Sequence, residues 1–201
     1  RGSGRRSRVN PHYWGRSPVD TLGGVSALVT GPDGLSRCAW VGDDDEYRRY
    51  HDEEWGVPLH GDRALFEKMA LEGFQAGLSW ITILRKRPRF REAFAGFDPE
   101  KVAAFGEADV ERLMADAGIV RNRAKVLATI GNARLVGAMA PGEFDEFMWS
   151  FAPDARPTAE RPAAFADVPA VTAASDALSK ALKKRGFRFV GSTTMYALMQ
   201  S

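Results

Sequence analysis

From Cys38 onward, apolar residues recur at helical spacing with little interruption, and glycines and prolines cut the run into helix-sized segments. Strand-type alternation is scarce and no segment repeats, so the pattern specifies an all-α fold. It predicts helices over residues 43–55, 62–84, 107–117, 120–139, 143–151 and 176–185, and a last one beginning near Ser192. Asp43 to Asp45 can cap the first, Ser175 reads as the cap of the sixth, and Gly118 and Gly186 read as stops. Pro88 and Pro99 are expected to punctuate short helices between residues 84 and 107. Residues 152–172 hold four prolines and read as an irregular connection. Residues 1–36, rich in Arg, Gly, Ser and Pro, read as a mobile extension ahead of one helical domain over residues 37–201.

At 201 residues the chain can bury one good core. No run of 18 apolar residues suggests a membrane span, and no apolar stretch of signal-peptide type follows the basic start. The single cysteine excludes an internal disulfide framework and suits a reducing compartment, so a cytoplasmic location is expected. Net charge is only +2, but its distribution is informative. Residues 1–37 carry six arginines against two aspartates, which leaves −2 for the rest. Any polyanion site must therefore be a local patch, and three basic runs are candidates: residues 85–91, 121–125 and 180–188. Each can also be read as a solvated helix end.

The segment MALEGFQAGLSWITIL, residues 69–84, has one charged residue, Glu72. Glu72 shares a helical stripe with Leu65, Met69, Ala76 and Ser79 and so faces inward. A buried carboxylate costs several kcal/mol unless paired, roughly, so it either satisfies internal donors or awaits a ligand with donors or positive charge. Gly73 and Gly77 suggest a close approach by another backbone or a ligand, or a helix break. Trp40, Tyr47, Tyr50, Trp55, Phe74 and Trp80 surround this segment in sequence. Trp55 and Phe74 read as core, and the others could stack on a flat ring. Residues 107–126 read as helix, tight turn, helix, in which Gly118 and the flanking Arg121, Arg123 and Lys125 could hold a phosphate. An ordinary helical hairpin looks much the same. Cys38 and His51, separated by twelve residues, are by spacing alone weak evidence for a metal and more often simply buried; as ligands they would make only half of a tetrahedral site.

Four segments resemble, in order, the DNA-3-methyladenine glycosylase I family: RCAWVGDDDEYRRYHDEEWGVP, LEGFQAGLSWITIL, DAGIVRNRAKVLATIGNAR and SDALSKALKKRGFRFVG. The resemblance implies a two-lobed helix-hairpin-helix fold and hydrolysis of the N-glycosidic bond of 3-methyladenine in double-stranded DNA. It also implies base flipping, free 3-methyladenine as product, a monomer and no membrane association. It assigns the family's acid to Glu72, the stacking tryptophan to Trp80 and the pocket aromatics to Trp40, Tyr47 and Tyr50. The family's structural zinc would use Cys38 and His51 with a histidine and a cysteine of a C-terminal tail. The sequence given stops at Ser201 and has no such pair, so little bound zinc is expected. Phe74 stands where other members carry a polar residue, and the stretch RNRAKVLATIGNARLV lacks the aspartate usual in the superfamily. The rival readings are a glycosylase for another damaged base, a non-catalytic DNA-binding module and a metal-dependent hydrolase.

Overall fold

The computed structural model describes residues 28–153 and 167–201. Nine helices occur among the described residues. They are α1 Asp45–Glu53, α2 Asp62–Gln75, α3 Trp80–Ala93, α4 Pro99–Ala103, α5 Glu107–Ala115, α6 Arg123–Gly137, α7 Glu143–Trp149, α8 Ala173–Lys184 and α9 Ser192–Gln200. Among the described residues, the one departure from an all-α chain is an antiparallel pair, β1 Leu28–Thr30 and β2 Ser36–Cys38, in which Val29 faces Arg37.

Helix α2 is the axis of the molecule. Leu65, Phe66 and every residue from Met69 to Gln75 are buried, because α3, α6, α7 and α9 pack around it. A helix enclosed on all sides is hydrophobic all round, and that leaves Glu72 as a charge in the interior. Helix α4 packs on α6 and α8 on α9. Phe66, Phe74, Phe90, Phe94 and Phe97 form one run of ring contacts through the core.

Several sequence expectations are corrected. The expected helix over residues 62–84 breaks at 76–79, where Gly77 sits at φ +87°, a conformation that side-chain-bearing residues rarely adopt. Pro88 lies inside α3 instead of dividing it. Burial of Ile83, Leu84 and Phe90 outweighs the one hydrogen bond that proline removes. The cap of α8 is Thr172, whose hydroxyl accepts from the Ser175 amide at 3.1 Å, while Ser175 answers from the third helical position. The expected extension over residues 1–36 includes residues 28–36, which form the strand pair. That pair is tied down by Arg37, which reaches Asp33 and Asp52, each at 2.7 Å. The rest of that extension, and residues 154–166 of the expected irregular connection, lie outside the described residues. No helix among the described residues is long and apolar enough to cross a membrane.

Candidate active site

Glu72 is only 4% exposed, on the face of α2 that meets α1, the start of α3 and the end of α9. Burial pushes its carboxyl up to about 7, against the pull of the Lys68 ammonium and a Ser201 hydroxyl that donates to Oε1 at 3.4 Å. Lys68 lies one turn earlier on α2, with Nζ 3.8 Å from Glu72 Oε1, and burial pushes its pKa down. Nζ donates to Tyr50 Oη at 2.7 Å and stands 4.5 Å from the centre of the Trp80 ring. Tyr50, the buried residue of α1, tilts against Trp80 at 5.6 Å, and burial raises its phenol. Trp80 is the first residue of α3, and its Nε1 is buried without a partner among the described residues.

A second layer of rings holds this group in place. The Tyr47 hydroxyl, pushed up to about 12 chiefly by burial, accepts the Ile81 amide at 3.1 Å and so pins α1 to the start of α3. Trp40 meets Tyr47 edge-on at 5.0 Å and Tyr50 at 6.4 Å. Arg87 grips Glu54 through two contacts of 2.5 and 2.8 Å, closing the same wall. The structure thus brings together Glu72, Trp40, Tyr47, Tyr50 and Trp80. The sequence reading missed Lys68 and Ser201. Lys68 had a legible signal, being four residues before Glu72 and so its neighbour on the helix face. Phe74 packs on Phe90 and Phe94 and belongs to the core, away from the pocket rings. Gly73 admits the close approach expected of it, since a Cβ there would lie 3.4 Å from that of Phe189.

The helical hairpin is present as α5, a turn and α6, but its polar groups are largely in use. The Gly118 amide donates to the Asp116 carboxylate at 2.8 Å, and a Cβ on Gly118 would lie 2.5 Å from Arg89 Cγ. Arg123 is held by Glu107 and Glu111. Lys125 is not a surface cation. It is 7% exposed, and its Nζ donates to the Phe74 and Ala76 carbonyls at 2.8 and 2.6 Å, which fastens α6 to the C-terminus of α2. Replacing Lys125 with Met is therefore expected to cost about 2–3 kcal/mol, from two stranded carbonyls, in urea denaturation, and to leave the salt dependence of DNA binding unchanged. The basic run 85–91 is likewise consumed internally: Arg85 by Asp44, Lys86 by the Ala117 carbonyl, Arg87 by Glu54, Arg89 by Asp116 and Arg91 by Glu67. Arg121, Lys180, Lys183, Lys184 and Arg188 are exposed and enter none of the ion pairs among the described residues, while the exposed Arg63 and Arg134 reach backbone carbonyls. Asn132 holds the Arg188 backbone from both sides, at 2.9 and 3.0 Å.

Cys38 and His51 also meet. His51 Nε2 accepts the Cys38 amide at 3.4 Å, and Nδ1 donates to Asp52 at 2.9 Å. Burial raises the Cys38 thiol. Among the described residues no group of three or more His, Cys, Asp or Glu is gathered in a ligating arrangement.

The fold thus combines a helical hairpin, α5 and α6, with a buried carboxylate walled by aromatic rings. The profile of the methyladenine glycosylase family matches residues 40–201. The chain is 54% identical over 169 residues to DNA-3-methyladenine glycosylase 1 of Escherichia coli K12, covering 83% of this chain and 90% of that protein. A crystal structure of 3-methyladenine DNA glycosylase I superposes with a TM-score of 0.76 at 52% identity, over 82% of this chain and 91% of that one. The Staphylococcus aureus glycosylase, whose structure concerns 3-methyladenine recognition, gives 0.72 at 38% identity over 82% and 88%. The chain belongs to the methyladenine glycosylase family.

Proposed function

We propose that this chain excises 3-methyladenine from alkylated duplex DNA by hydrolysing its N-glycosidic bond, with the flipped base bound among Trp40, Tyr50 and Trp80 against Glu72. The observation that carries the reading is the Glu72 carboxylate, buried among ring faces with no full-strength internal partner, in a chain of this family. Methylation at N3 makes the adenine ring cationic and a good leaving group, so a pocket that selects and orients it supplies much of the required help. Glu72 accepts hydrogen bonds from the base edge, Trp80 and Tyr50 stack on the ring, and the unpartnered Trp80 Nε1–H is a donor available to the ligand. Tyr47 positions the start of α3 and acts on the base only through it. When the C1′–N9 bond breaks, its electron pair leaves with the base and water captures the sugar cation. No acid follows the hairpin in residues 121–136, in keeping with recognition doing most of the work.

The test is chromatography of the bases that the purified chain releases from N-methylated duplex DNA. Release of 3-methyladenine is expected, and release of a different methylated base alone would move the chain to the rival lesion. The enzyme is read as a cytoplasmic monomer, a setting its single free cysteine suits. Duplex contact is assigned to the hairpin turn and to the residues near Arg188. Arg121→Glu is expected to reduce the salt slope of duplex binding by roughly one, while Arg123→Glu, whose side chain already serves Glu107 and Glu111, changes it less. Equal slopes for Arg121→Glu and the parent would remove the turn from the interface. Cys38 and His51 are read as a packed pair carrying little tightly held zinc. Elemental analysis after dialysis against a mild chelator is expected to find well under one equivalent, and a stoichiometric zinc would overturn this.

A further inference from the structure

The pocket contains a positive charge of its own. Lys68 Nζ is bonded to Tyr50 Oη at 2.7 Å, lies 3.8 Å from Glu72 and stands 4.5 and 5.0 Å from the Trp80 and Tyr50 ring centres. Its side chain is 12% exposed. A carboxylate, a phenol oxygen and two ring faces all favour an ammonium at this point, against the burial that disfavours it. The same rings and the same carboxylate are the groups assigned to the methylated base. A cationic base stacked there meets a second cation within a few ångströms, in a site where water screens little.

We propose that Lys68 is a specificity-determining cation of this pocket, which opposes the positive charge of the bound N3-methylated base and is relieved of that opposition as the base departs. The inference rests on the excision reading above. As the C1′–N9 bond breaks, its electron pair passes to the ring, which becomes neutral, and the positive charge moves to the sugar as an oxocarbenium ion. Water adds at C1′ and releases a proton to solvent. The repulsion from Lys68 therefore acts on the ground state and falls away towards the transition state, so it hastens bond breaking at the expense of substrate affinity. The rings still bind the base by stacking, and Glu72 still accepts from its edge. Lys68 makes the pocket prefer the neutral product-like ring over the cation.

Two probes separate charge from fit: free 3-methyladenine, neutral at mildly alkaline pH, and its N9-methylated derivative, which carries the positive charge. For Lys68→Met, affinity for the cationic probe relative to the neutral one is expected to rise about tenfold or more. Single-turnover release of 3-methyladenine from saturating methylated duplex is expected to slow by about tenfold. Lys68→Arg should restore both towards the parent. If both probes gain equally in Lys68→Met, the lysine merely plugs the pocket, and if both lose equally, it merely supports Tyr50. Either outcome overturns the proposal, as does an unchanged single-turnover rate. Should Lys68→Met unfold, Lys68→Gln gives the same comparison. A parent chain that releases no base would refute the excision reading, whereas the ratio of probe affinities reports on Lys68 independently.

Discussion

Glu72→Gln is expected to weaken binding of free 3-methyladenine by about 1–3 kcal/mol, the scale of a hydrogen bond to a charged group, while removing a pH-dependent instability of the fold. The second half follows from the carboxyl being pushed up to about 7 by burial. Between the ordinary carboxyl range near 4.5 and about 7, the folded state holds a proton that the unfolded chain has released. The parent therefore loses stability as pH rises through that window, by up to about 3 kcal/mol, and loses no more above it. The value of about 7 already includes the pull of the Lys68 ammonium, which favours the charged carboxylate. Glutamine has no such proton, so the difference between parent and variant in urea denaturation should shift between pH 4.5 and 7 in favour of the variant. A difference that is flat across that range would make Glu72 an ordinary satisfied ion pair.

Trp80→Ala should damage both fold and function. The indole is 7% exposed and opens α3 against Tyr50 and the Lys68 ammonium, so its removal is expected to cost about 3–5 kcal/mol of stability. Stacking of the base should weaken by a further 1–3 kcal/mol, approximately. Trp80→Phe separates the two, keeping most of the packing while removing Nε1–H, and should bind the base less well than the parent at near-parent stability. The sequence reading divided the tryptophans differently, assigning Trp80 to the pocket and Trp55 to the core. Trp55 is the less buried of the two, stacked at 5.5 Å on His51 and edge-on at 5.6 Å to Trp40. Its truncation should therefore be the milder in a thermal melt.

The helices were legible because their apolar faces repeat at 3.6 residues and because Gly118 and Gly186 follow real ends. The strand pair was not, since β1 and β2 are three residues each and owe their order to Arg37, Asp33 and Asp52, which meet only in the fold. Glu72 was legible as the lone charge in an apolar segment. Lys68 hid in plain view, because a lysine within a helix normally reads as part of its solvated face. Lys125 and the run 85–91 misled for the matching reason: composition records charge but not its partner. Lys125 lies 51 residues from the Phe74 carbonyl it serves, and Lys86 lies 31 residues from that of Ala117. No local pattern encodes such pairs.

The central claim, that the base lodges between Glu72, Tyr50 and Trp80, is tested most directly by titrating the 15N-labelled chain with free 3-methyladenine and following its amide and indole resonances. The largest shifts are expected at the Trp80 indole Nε1–H, the buried donor without a partner among the described residues, and at the amides around Glu72 and Ile81. Adenine at the same concentration should move them far less. Shifts confined to the hairpin around Gly118 or to the residues around Phe189, with the Trp80 indole unmoved, would contradict the account.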